Sequence, residues 1–206
     1  VSMQLKVKSC YQNKQRFVSI HLKQFICCNT LIMDYIKHLK KDALMAGLIK
    51  KQGSFSLTVR KDLCFYLCNS IMSQQLSTKV ADVFQQRFLQ LYNGKIPTSK
   101  AILETPFETL RGIGLSNAKA NYVHNVARFD LESGMDFKQL NKMDNASIIT
   151  YLTQIKGVGK WTVEMLLMFA LGREDVFPVD DLGIQQAMQK LYSIKHREKK
   201  LLIKKI

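Results

Sequence analysis

Two glycines one residue apart, Gly157 and Gly159, lie between two apolar segments and constrain this chain more than any other feature. Leu152-Thr153-Gln154-Ile155-Lys156 leads into them. Lys160-Trp161-Thr162-Val163-Glu164 then opens an apolar stretch that runs on to Phe177-Pro178-Val179-Asp180-Asp181-Leu182-Gly183-Ile184. Helical spacing on both sides, with glycine freedom between, predicts helix, tight turn, helix. The second helix presents unpaired N–H groups at its positive end, which is what backbone phosphate binding requires. Val158 anchors the turn from the core side, Lys160 adds charge, and Thr162 can bond a phosphate or cap the helix. A P-loop does not fit, because Trp161 follows Gly159-Lys160 where Ser or Thr is needed and no strand precedes the turn. A plain interhelical turn is the alternative. The pattern apolar, basic, Gly, apolar, Gly favours the phosphate reading because it occurs twice, at Leu110-Arg111-Gly112-Ile113-Gly114 and, 45 residues on, at Ile155-Lys156-Gly157-Val158-Gly159.

The rest of the chain reads as all-α, many short helices joined by short turns. Residues 1–32 carry no carboxylate and no sustained period, and are expected to be a disordered or non-native basic extension. From Met33 an amphipathic helix is expected to run to just before Gly53, followed by a short extended linker over 54–59. Asp62 opens a strongly apolar helix that reads as central to the core. It ends at Ser73-Gln74-Gln75-Leu76-Ser77, where Ser77 is a good N-cap for the next helix. Short helices follow Thr98 or Ser99 and Pro106, and a longer one spans about Asn117 to Phe129. A short helix is expected within 136–143, one over 146–154 capped by Asn145, one from about Asp181 to Tyr192, and a basic helical end over 198–206. Cys64 and Cys68 share a helix face without a His or Cys nearby, which reads as buried thiols rather than a metal pair.

The formal net charge is +15, and residues 1–32 and 195–206 contribute +5 each, leaving +5 for the middle. Such a balance argues for a polyanionic partner, nucleic acid or an anionic membrane. No apolar run approaches the length of a membrane span. The odd count of five cysteines points to a reducing compartment.

Asp181 begins a helix, a place where aspartate most often serves only as an N-cap. It follows Gly159 by 22 residues, room for one helix and its return, so both can lie on one side of the molecule. Taken with Ser73-Gln74-Gln75-Leu76-Ser77, Leu115-Ser116-Asn117-Ala118-Lys119-Ala120 and Gly159-Lys160-Trp161-Thr162, the segment from Gly157 to Ile184 resembles the helix-hairpin-helix superfamily of DNA glycosylases. Within it these motifs resemble the 3-methyladenine DNA glycosylase II branch, over about Met33 to Tyr192.

That resemblance implies a multi-helix glycosylase fold without an iron–sulfur cluster, since the four cysteines some relatives carry after the aspartate are missing here. It implies base-excision repair of alkylated purines by a monomer acting on damaged double-stranded DNA, in a bacterial nucleoid or a nucleus, with no cofactor required. Asp181 takes the catalytic position, Trp161 a base-pocket position and Leu76 the wedge inserted into the duplex. Gln75, Ser77, Ser116, Gly157, Gly159, Lys160 and Thr162 take DNA-contacting positions. A structural Na+ or K+ would rest on carbonyls of Thr153, Ile155 and Val158. Bifunctional relatives place a lysine nucleophile immediately before the hairpin threonine. Trp161 stands there instead, so hydrolysis without a lyase step is expected. Two other readings stay open: a non-catalytic helix-hairpin-helix DNA-binding protein, and a glycosylase for a different lesion. The end at Ile206 is read as either the biological terminus or a truncation before a further helix with pocket aromatics.

Overall fold

The computed structural model describes residues 33–53, 57 and 59–193. The chain divides into two units at the boundary between residues 54 and 55, and each is described by itself. In the first unit, the single helix expected after Met33 is two: α1 Met33–Leu39 and α2 Ala43–Gln52. The break comes from Asp42, whose Oδ1 accepts from the N–H groups of Leu44 and Met45 at 2.9 Å each. A short side-chain acceptor that satisfies two orphan donors starts a new helix more readily than it continues an old one. The expected linker over 54–59 and the basic helix over 198–206 lie largely or wholly outside the described residues, as does the 1–32 extension.

In the second unit two helices organise the rest. α3 Leu63–Ser73 buries Leu63, Phe65, Leu67, Cys68, Ile71 and Met72, and its reading as a core helix holds. Each large side chain so buried contributes roughly 1.5–3 kcal/mol. α4 Thr78–Gln90 returns beside it. α5 Ser99–Glu104 and α6 Phe107–Gly112 are short and lead to α7 Asn117–Glu132, which runs longer than expected and packs on α3, α5 and α6. α8 Phe137–Leu140, α9 Asn145–Leu152, α10 Lys160–Phe169 and α11 Leu182–Leu191 complete it, and no strand occurs among the described residues. Arg60 N–H donates to the Ala170 carbonyl, and the Tyr66 hydroxyl to the Met165 carbonyl at 3.1 Å, so α3 and α10 lie antiparallel. Burial pushes the Tyr66 hydroxyl up to about 12, which keeps it a donor at any working pH.

Three local expectations need correction. Ser77 stands at the N-cap of α4 without a side-chain capping bond. α9 is capped by Asp144, not Asn145, because the Asp144 carboxylate accepts both the Ser147 N–H at 2.8 Å and its hydroxyl at 2.7 Å. The repeated glycine pattern is real but in a different register. Gly112 is the last residue of α6, while Gly114 and Gly157 carry φ of 104° and 105°. The equivalent turns are therefore Gly114-Leu115-Ser116 and Gly157-Val158-Gly159, 43 residues apart, each a left-handed glycine, a buried apolar anchor and an N-cap.

Candidate functional site

α9, the turn and α10 form a helix-hairpin-helix. Ile155 and Val158, 3% and 4% exposed, tie the turn to the core, and Val158 N–H closes it on the Ile155 carbonyl at 2.9 Å. Gly157 is required for two reasons. Its φ belongs to the left-handed region, and a Cβ there would lie 2.2 Å from Cγ of the Tyr122 ring on α7. Gly157→Ala is accordingly expected to cost about 2–5 kcal/mol, left-handed strain plus overpacking against a ring held by its helix. Urea unfolding checks it, and a loss under about 1 kcal/mol would contradict the packing.

Gly159 differs. It is the N-cap of α10 with φ of −95°, and a Cβ would meet nothing within 4 Å. Nothing inside the protein demands glycine there, which leaves the first N–H groups of α10 open to approach from outside. Lys160 extends beside them with its side chain 57% exposed, its ammonium 3.5 Å from the largely buried carboxylate of Glu164. Thr162 must be removed from the expected phosphate contacts. It is 3% exposed, because the third position of α10 turns toward the core along with Val163, Leu166 and Leu167.

Trp161, by contrast, is 39% exposed, and its indole N–H donates to Asp181 Oδ2 at 2.9 Å across 20 residues of sequence. Asp181 Oδ1 accepts the Ile184 N–H at 2.8 Å, so this aspartate is the N-cap of α11 and the partner of the indole at once. With two adjacent aspartates at the start of α11, one could cap the helix while the other faced the site. In the structure Asp181 does both and is 6% exposed, whereas Asp180 is exposed. Gln185, not singled out from the sequence, braces the approach to it by donating to the Val179 carbonyl at 2.7 Å.

The expected wedge leaves α3 through Gln75, a non-glycine residue at φ of 60°, and presents Leu76 at 36% exposure with Ser77 exposed beside it. Strained turns of this sort persist where the surroundings hold them. Here the holding group is Lys119, whose ammonium donates to the carbonyls of Met72 and Gln74 at 2.8 Å each. Lys119 lies in α7 one turn past its N-cap, Ser116, whose hydroxyl is exposed apart from accepting the Lys119 N–H. Sequence reasoning passed over Lys119. Its only signal was a helix end at Ser73 whose last carbonyls lacked a partner nearby in sequence.

Thr153 is the C-cap of α9, where carbonyls lack intrahelical donors, and the Ile155 carbonyl keeps one lone pair after bonding Val158. Neutral oxygens of this kind suit an alkali cation. Among the described residues no cluster of three or more His, Cys, Asp or Glu is placed to hold a metal, and no helix is long and apolar enough to cross a membrane.

Residues 68–206 match the model of the HhH-GPD superfamily of base excision DNA repair proteins. DNA-3-methyladenine glycosylase 1 of Schizosaccharomyces pombe is 37% identical over 144 residues, 64% of this chain and 63% of that protein. The alkylbase DNA glycosidase-like protein mag2 of the same yeast is 33% identical over 77% of each chain. The solved S. pombe 3-methyladenine DNA glycosylase in complex with abasic DNA superposes with a TM-score of 0.74 at 32% identity, covering 82% of this chain and 85% of that one. The chain thus spans under two thirds of the first of these relatives.

Proposed function

Since the chain belongs to the HhH-GPD superfamily of base excision DNA repair proteins, we propose that it is a monofunctional DNA glycosylase that releases alkylated purines of the 3-methyladenine type. The observation that carries this reading is the Trp161–Asp181 hydrogen bond, which sets an exposed aromatic face beside a carboxylate. A base stacked in a duplex cannot be reached, so the nucleotide is turned out, and the weak stacking of a lesion lowers the cost. Leu76 fills the gap it leaves. Gln75, Ser77 and Ser116 contact the backbone around the gap. The open N-terminus of α10, with Gly157, Gly159 and Lys160, grips a phosphate and sets the register of the duplex without reading its sequence.

An N-alkylated purine is cationic, and the Trp161 face favours it by cation–π attraction. The N-glycosidic bond then breaks with its electron pair leaving on the purine, which departs neutral. The oxocarbenium-like sugar is stabilised by the Asp181 carboxylate, water adds at C1′, and the water's proton passes through Asp181 to solvent. An abasic site remains. The residue before Thr162 is Trp161, and the nearby Lys160 ammonium is directed at Glu164, which supports hydrolysis without a Schiff base. A Na+ or K+ on the carbonyls of Thr153, Ile155 and Val158 would steady the hairpin by adding positive charge behind the phosphate. The protein would act as a monomer on genomic DNA in the nucleoid or nucleus.

Alkylated duplex DNA incubated with the protein should yield free 3-methyladenine by chromatography, and strand breaks only after alkali. Breaks without alkali would overturn the monofunctional assignment. Duplex binding with no base release would leave a DNA-binding protein in its place.

A further inference from the structure

We propose that α7 is the strut that registers the wedge with the phosphate grip, and that Lys119 is its positioning residue for Leu76. This rests on the glycosylase reading above. Three residues spaced three apart along α7 reach the two elements. Lys119 bonds the Met72 and Gln74 carbonyls at the end of α3, Tyr122 lies against Gly157, and the Asn125 side-chain amide donates to the Lys156 carbonyl at 3.2 Å. Successive members rise by about 4.5 Å along the axis, so a rigid helix sets the spacing between the wedge loop and the hairpin turn.

The anchoring is directional. Both acceptors of Lys119 are carbonyls of the last turn of α3 and the residue beyond it, where a helix leaves its acceptors unpaired and its negative end exposed. Fixing the Gln74 carbonyl fixes the peptide that enters the left-handed turn at Gln75, and Leu76 follows directly. Burial pulls the Lys119 ammonium below the ordinary lysine range, so these bonds are made by a partly desolvated charge and not by a loose surface chain.

The start of α7 is itself held. Arg87 of α4 donates to the Ile113 carbonyl at 3.2 Å, Arg111 donates to the Leu115 carbonyl, and a Cβ added at Gly114 would come within 3.1 Å of the Phe84 ring.

The test compares single-turnover base release by the wild type, Lys119→Met, Leu76→Ala and the double variant, on one alkylated lesion placed in a duplex and in a single-nucleotide bulge. A wedge matters most when the base must be unstacked, and a bulge removes most of that cost. Lys119→Met should slow release from the duplex by about tenfold and from the bulge by less than about twofold, and adding it to Leu76→Ala should cost little more than Leu76→Ala alone. Lys119→Arg, which can still donate to both carbonyls, should recover most of the rate. Equal losses on both substrates, or multiplying losses in the double variant, would overturn the assignment. If the wild type releases no base, the glycosylase reading fails, and the strut is tested by amide hydrogen exchange over residues 74–77. Faster exchange there in Lys119→Met, or in Lys119→Gln should the first variant not fold, with α3 unchanged before Met72, supports it. Unchanged exchange refutes it.

Discussion

Asp181→Asn is expected to lower base release by about 10²–10³-fold, the range for removing one preorganised electrostatic contact to the charge that develops in the transition state. Duplex affinity should stay within about threefold, because the phosphate grip lies on α10 and not on α11. The substitution is nearly isosteric but not silent in the free protein. Both carboxylate oxygens now accept N–H bonds, one from Ile184 and one from Trp161. An asparagine has one acceptor oxygen, so either the cap or the indole bond is lost, at about 1–2 kcal/mol. Thermal melting should show that modest loss while stopped-time base release shows the large one. A variant that still releases base within about tenfold of the wild-type rate would remove Asp181 from the catalytic role.

Gly159→Asp is expected to separate binding from folding in the opposite direction. Gly159 caps α10 with no side-chain bond, its φ suits any residue, and a Cβ has open space. Aspartate is among the best N-caps and glycine is only slightly worse, so stability should hold or rise by about a few tenths of a kcal/mol. The same carboxylate would sit on the N–H groups assigned to a DNA phosphate. Duplex affinity at low salt should fall by about 10- to 100-fold, since a favourable charge-assisted contact becomes a repulsion. Fluorescence anisotropy with a labelled duplex, paired with a melting curve, reads both. Raised stability with unchanged affinity would move the phosphate grip away from this turn. Together with Gly157→Ala, which is expected to damage the fold itself, the pair would assign one glycine of the turn to the protein and the other to its ligand.

Most of the helix order was legible because apolar spacing and turn residues agree along the chain. α3, α7, α10 and the hairpin all follow from local signals. What failed had physical causes that local pattern does not carry. Asp42 split a helix and Asp144 displaced Asn145 as a cap, since several short polar residues at a helix start compete and only geometry decides among them. The apparent 45-residue repeat misaligned its glycines because letters do not reveal which of two takes the left-handed conformation. Thr162 follows the turn closely enough to bond a phosphate or cap the helix, yet a helix turns 100° per residue and places it inward while leaving Trp161 outward. The Trp161–Asp181 bond and the Lys119 anchor were invisible for a different reason. They join residues 20 and more positions apart, and their partners are set by how α3, α7, α10 and α11 pack.

Trp161 is the sole tryptophan in the sequence, and its indole N–H ends on the Asp181 carboxylate. The tryptophan emission of the chain, excited selectively over its seven tyrosines, therefore originates at the candidate site. An anionic acceptor on the indole nitrogen and a ring face open to solvent both act on that emission, so a ligand that stacks on the ring or a change that releases the carboxylate registers optically. The molecule carries its own spectroscopic label, placed where the proposed chemistry occurs, and no engineered probe is needed to follow occupancy of the site in real time.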